Sequence, residues 1–224
     1  MAYFTQAFIT FFNGLEANNH KAWFDEHRKT YEREVRDPFK VLVQDMIERI
    51  QMEEPDVRVE PKHCTFRINR DLRFSKDKTP YNTWVSAFIS REGKSGNYPG
   101  FYFRLHANGI TTGGGIWQPS LDNLHRIRSE IAYGQEAFQA IITAPAFRKA
   151  FKEVQGAKNK VLPAEFRADR EQQSLIANKQ FYYMADLDAK FITDPKLPDH
   201  LMRYYHTGQP MHNFLRQALF MDEA

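Results

Sequence analysis

The apolar residues of this chain change period twice along its length, and this constrains the fold more than any other feature of the sequence. Up to Met52 they recur at spacings of three and four, as in Phe4, Phe8, Phe11, Phe12 and Leu15. That spacing puts one apolar stripe on a helix. After Pro55 the pattern becomes alternation, the period of a strand with one face buried. Beyond Pro119 the helical spacing returns with Leu121, Leu124, Ile127 and Ile131.

The first stretch predicts helices over 4–17 and about 20–36, with Asn18-Asn19 as a turn and N-cap between them. Asp37-Pro38 reads as a cap with proline at the first position of a third helix, which runs to Met52. In the middle, Val57 and Val59, then Phe66 and Ile68, suggest short strands. Longer strands are expected over 83–91, 100–107 and 110–116, with Asn108-Gly109 as a hairpin turn. Pro119 opens a helix, and short helices follow to about residue 152. Residues 153–172 read as an irregular, charged excursion, and 179–188 fit either a strand or an extended segment. The C-terminal part reads as helical through Leu219, interrupted at Gly208-Gln209-Pro210. Helices, then a mostly antiparallel meander, then helices define an α+β fold. No repeat or linker interrupts the chain, so one domain is expected over 1–224.

The 224 residues are 42% hydrophobic and include 19 Phe, enough to build a core without staples. Cys64 is the lone cysteine. That excludes an internal disulfide framework and a zinc site of the Cys-pair type, and suits a reducing compartment. The N-terminal stretch has no Lys or Arg ahead of its apolar residues and is interrupted by Gln6 and Asn13. It reads as an amphipathic helix rather than an export signal. No apolar run reaches the roughly 20 residues of a membrane span, so no membrane partner is expected and a cytoplasmic location is.

Charge is concentrated. The formal net charge is +3, from 31 basic and 28 acidic residues. Residues 67–78 alone hold five basic and two acidic residues, and the remaining 26 of each sign cancel. A long nucleic-acid-binding surface is disfavoured by that balance, and one local anion-attracting spot is favoured. The segment reads CTFRINRDLRFSKDKTPYN from Cys64 to Asn82. Taken as a strand over 64–69, it would direct Arg67 away from Phe66 and Ile68, and Arg67, Arg70 and Arg73 would leave the sheet together. Arginine offers a rigid fork of donors for carboxylate or phosphate. Lys78 adds a point charge, Tyr81 a hydroxyl, and Asp71 a group that could orient a neighbouring guanidinium. The alternative is a brace: Arg-Asp pairs often tie a loop to its own domain.

Arg67, Arg70, Asp71, Arg73, Phe74, Asp77, Lys78 and Tyr81 together resemble the signature of a bacterial and fungal family, the domain of unknown function 2461. The opening NGLEANNHKAWFDEHRKTYEREV fits as well, as does GGGIWQP followed by Leu124-His125-Arg126-Ile127-Arg128. The resemblance covers nearly the whole chain and is poorest over 153–178. The resemblance brings no activity, cofactor or catalytic residue with it.

Other chemistry is thinner. Gly113-Gly114-Gly115 ahead of a helix could present N–H groups to an anion, with Trp117 and Arg128 as a wall opposite the arginine segment. Three glycines at a strand end more often mark a bulge or a close backbone approach. Ser75-x-x-Lys78 lacks the companion motifs of penicillin-binding enzymes. The eight histidines show no metal-ligand spacing, so no metal site is expected; His106 and His125 could approach the arginine segment. The expected ligand-binding set is therefore Arg67, Arg70, Asp71, Arg73, Lys78, Tyr81, Gly114, Trp117 and Arg128. Three functions compete: a binding protein or enzyme for a small phosphorylated or carboxylated metabolite, a nucleic-acid-associated protein, or an interaction module in which the motif is an internal brace. No catalytic residue, cofactor or oligomeric state is indicated.

Overall fold

A computed structural model describes residues 2–220. Its elements in chain order are α1 (Gln6–Ala17), α2 (Lys21–Glu26), α3 (Arg28–Tyr31), a π-turn (Glu32–Arg36), α4 (Asp37–Glu53) and α5 (Pro61–Cys64). Then come β1 (Trp84–Ile89), β2 (Gly100–His106), β3 (Gly109–Ile116), α6 (Leu121–Tyr133), α7 (Gln135–Thr143) and α8 (Pro145–Phe151). The chain continues with α9 (Asp169–Gln172), β4 (Phe181–Asp188) and α10 (Leu197–Phe220). The strands form one antiparallel sheet in the order β1-β2-β3-β4. The fold is α+β. No helix among the described residues is long and apolar enough to cross a membrane.

Two compact units divide the chain. One comprises the residues up to Lys94, Tyr102–Thr112 and Asp186–Met202; the other comprises Ser95–Phe101, Gly113–Ala185 and the residues from Arg203 on. In the first unit α1 buries Phe8, Phe11, Phe12 and Leu15, the stripe its spacing predicts. The buried face of α4 carries Phe39, Leu42, Val43, Met46, Ile47 and Ile50. In the second unit Ile127, Ile131, Phe138, Phe147, Phe151, Phe181 and Tyr183 belong to one buried cluster. The irregular stretch after α8 is fastened to that cluster by Val154, Leu162 and Phe166.

Several local expectations need correction. Pro38 stands in the first turn of α4 as expected, but Asp37 does not cap it and the chain enters already helical. Arg36 has helical dihedrals, and the N–H of Asp37 reaches back to the Glu32 carbonyl, one residue further than an α-helix allows. Pro38 has no N–H and its ring would collide with the carbonyl four residues back, so a widened turn lets the helix run through it. Asn19 is not the cap of α2: the His20 side chain accepts from the Trp23 N–H instead. Pro119 lies outside α6, which Ser120 caps by accepting from Asn123 N–H.

The C-terminal helix is likewise continuous, and Pro210 lies within it. The Gly208 carbonyl accepts from the Tyr183 hydroxyl at 3.0 Å. A Cβ at Gly208 would sit 2.5 Å from that tyrosine ring, so the glycine serves close packing, not a break. Residues 57–59 and 64–69 form no regular strand. Cys64 ends α5, and 65–69 pairs with 81–87 as the isolated bridges Thr65↔Ala87 and Asn69↔Tyr81 rather than as a continuous ladder. Ile68 is buried and Phe66 exposed, so the two do not share a face. The open choice at 179–188 resolves to a strand, with alternating burial along β4. The turn between β2 and β3 is Ala107-Asn108, and Gly109 opens β3.

Candidate functional site

The arginine segment folds as an irregular hairpin. Phe66 N–H donates to Ser86 O at 3.0 Å, Asn82 N–H to Ile68 O at 2.8 Å and Arg70 N–H to Pro80 O at 2.9 Å. These bonds make Asn69 and Tyr81 a non-hydrogen-bonded pair, so the N–H and C=O of Tyr81 face away from Asn69. Asn19 takes both: its Nδ2 donates to Tyr81 O at 2.9 Å, and its Oδ1 accepts from Tyr81 N–H at 3.1 Å. One amide side chain thus acts as a further strand residue. The Tyr81 ring is buried and stacked on Phe24 at 4.1 Å, so Tyr81 anchors the hairpin base.

The loop from 70 to 80 is tied together by its own side chains. Arg70 Nη1 donates to Asp77 Oδ2 at 2.6 Å, to Thr79 O at 3.0 Å and to the Thr79 hydroxyl, while Nη2 reaches Ser75 Oγ at 3.3 Å. Its side chain is only 22% exposed. Ser75 Oγ donates to Asp77 O at 2.7 Å, and Lys78 Nζ to Leu72 O at 3.0 Å. Asp71 accepts from Arg73 Nη2 at 2.6 Å and from the Arg73 backbone N–H at 3.2 Å. Those bonds to Arg73 hold the Asp71 carboxyl down at about 2. Asp77 is also below the usual carboxylate range, chiefly through the Thr79 N–H and then through Arg70.

Arg67 and Phe74 stand outside this network. The Arg67 side chain is exposed and makes no hydrogen bond or ion pair among the described residues. It lines a shallow pocket of about 360 Å³ with Phe66, Asn69, Arg70, Asp71 and Asn82. Phe74, at the loop tip, is 95% exposed, with the Arg73 guanidinium 6.0 Å from its ring centre.

The remaining expected residues lie in the second unit. Gly114 is buried within β3. A Cβ at Gly113 would lie 1.9 Å from Tyr183 O, and one at Gly115 2.1 Å from Phe181 O. The run therefore lets β3 and β4 backbones approach closely. Arg128 is 4% exposed; its Nε donates to Ile176 O at 2.9 Å and its Nη2 to Asn178 O at 3.1 Å. Burial alone lowers its pKa. Trp117 is exposed and meets Tyr182 edge to face at 4.8 Å. His125 pairs with Glu165 at 3.2 Å. Cys64 is buried, which pushes its thiol up to about 12 and leaves it inert.

The family model described as conserved hypothetical protein (DUF2461) matches residues 7–214. The chain belongs to this family. Its match takes in the whole arginine hairpin and runs through both compact units. No curated protein and no solved structure matches the chain.

One cluster in the first unit was not singled out as a site from the sequence of this family member. A cleft of about 220 Å³ is lined by Glu16, Thr83, Trp84, Arg104, His106 and Asn108, together with Ala107. Burial, then the nearby Arg104 charge, holds His106 below its ordinary pKa, against opposing pulls from Asp186 and Glu16. The signal was in FRLH at 103–106: alternation puts Arg104 and His106 on one strand face, between the buried Phe103 and Leu105.

Proposed function

We propose that the protein binds a small oxyanion, the phosphate or carboxylate of a metabolite, at the base of the arginine hairpin. The observation that carries this reading is the free guanidinium of Arg67 in the 360 Å³ pocket. In this reading Arg67 grips the anion, because Arg70 and Arg73 are each already paired with a carboxylate of their own loop. Arg70 and Asp77 fix the loop, Asp71 holds Arg73, Lys78 clamps the Leu72 carbonyl, and Tyr81 anchors the base. A rigid loop reduces the ordering cost that a flexible one would meet on binding. The match over 7–214 supports treating the chain as one family domain, and the lone buried thiol suits a cytoplasmic setting.

Phe74 favours a second reading. A nearly fully exposed phenylalanine beside Arg73 and Lys76 on a braced tip suits stacking with a single-stranded nucleic acid.

A thermal-shift screen distinguishes these readings. Phosphorylated metabolites, dicarboxylates, nucleotides and short single strands are tested on wild type, Arg67→Ala and Phe74→Ala. A ligand at about 100 times its Kd adds about 2.7 kcal/mol, or roughly 5–10 °C in a chain of this size. A small anion that shifts wild type but not Arg67→Ala supports the first reading. Shifts given by nucleic acid alone, lost in Phe74→Ala and at high salt, support the second. No shift from any class overturns both.

A further inference from the structure

Four side chains, one from each strand, stand in a row across the first unit's part of the sheet: Trp84, Arg104, Thr111 and Asp186. The Arg104 guanidinium carbon lies 5.2 Å from the Trp84 ring centre. Arg104 Nη2 donates to Thr111 Oγ1 at 3.0 Å, and Thr111 Oγ1 donates to Asp186 Oδ1 at 2.8 Å. The relay ends there. Arg104 Nε is buried with no acceptor, and among the described residues no carboxylate lies within ion-pairing distance of the guanidinium. A buried donor on a permanently charged group is costly to leave unpaired. Here the ring of Trp84 takes up one face of the cation and Thr111 one N–H of Nη2, and the Nη1 donors make no hydrogen bond among the described residues, which leaves them for an acceptor from outside.

The 220 Å³ cleft beside Arg104 is where such an acceptor would enter. At about 30 Å³ per water it holds roughly seven waters, which limits the occupant to a few heavy atoms. The other polar groups on its wall are of opposite character. Glu16, on the exposed side of α1, is acidic, His106 is a neutral imidazole near neutral pH, and Asn108 and Thr83 add an amide and a hydroxyl. A simple anion would meet Glu16 unfavourably. An anion with a donor at its far end would satisfy both walls.

We propose that this cleft binds a small two-ended molecule: a carboxylate on Arg104, with a hydroxyl or ammonium group directed at Glu16. This site shares no lining residue with the Arg67 pocket, so it stands or falls independently of the function proposed above.

The test is an NMR titration of the ¹⁵N-labelled full chain with glycolate, glycine and acetate at constant ionic strength. The signals followed are Arg104 Nε–H and the Trp84 indole N–H. Glycolate or glycine should move both signals saturably, with a Kd below about 1 mM. Acetate should bind more weakly by about tenfold or more, and Glu16→Gln, a surface change, should erase that margin. Arg104→Lys should weaken binding by at least about tenfold, because an ammonium cannot reproduce the fork. Arg67→Ala should change nothing. The proposal fails if no probe saturates the shift, if acetate binds as well as glycine, or if Arg104→Lys binds like wild type.

Discussion

The arginine hairpin and the row across the sheet both place guanidinium groups in the first unit, and they use them in opposite ways. In the hairpin, charge is dense but engaged: Arg70 meets four oxygen acceptors of its own loop, and Arg73 is held by Asp71. In the row there is a single cation, half-covered by Trp84, with a buried donor left over. Density of charge in a sequence therefore says little about where an anion would bind. The number of donors still unengaged after folding says more. By that measure Arg67 and Arg104 are the arginines of these two regions to watch, and Arg70 is a structural part.

The sharpest way to break this contrast is to remove one guanidinium from each region and measure stability. Arg70→Ala leaves Asp77, Thr79 and Ser75 without their shared donor. It should cost about 2 kcal/mol, a fall in melting temperature of roughly 4–8 °C, and no anion should restore it. If the variant melts with wild type, the brace is not a brace. Arg104→Met should cost less, about 1 kcal/mol or under, because the lost Thr111 bond and ring contact are offset by removal of an unpaired buried donor, while Thr111 keeps Asp186. A loss as large as that of Arg70→Ala would make the row structural. The smallest effect is one of pH. Asp71 and Asp77 are held below their ordinary 3.8 in the fold. Their contribution is thus fully present above that value and is lost as pH falls through the folded values, about 2 for Asp71. A carboxyl ¹³C titration should find both midpoints depressed. In Arg70→Ala the midpoint of Asp77 should rise and that of Asp71 should stay.

The same contrast explains what could be seen in the sequence. Helix faces such as Phe8, Phe11, Phe12 and Leu15 were legible because burial imposes its period directly. The meander was legible because Asn108-Gly109 punctuates two alternating runs. What escaped depended on partners distant in the chain. Asn19 reads as a local cap until Tyr81, 62 residues on, presents its backbone to it. Arg104 is one polar residue in an alternating strand until the sheet order sets it between Trp84 and Thr111. Arg128 looks like a helix-surface cation, and only the fold shows it buried on two carbonyls from the Ile176–Asn178 segment. Prolines misled for the opposite reason: Pro38 and Pro210 are strong local signals for a break, and in both places the helix continues.

The widened turn at Glu32–Arg36 carries one residue more than an α-helical path would need. One residue corresponds to about 100° of rotation about a helix axis. Loss of any single residue between 32 and 36 would close the path to a regular helix. Because the widened turn absorbs that rotation, the stripe led by Phe39 would keep its register, but the Pro38 ring would be set against the turn before it. Spacing across this stretch should therefore tolerate substitution far better than deletion, so that its length is held more tightly than its letters.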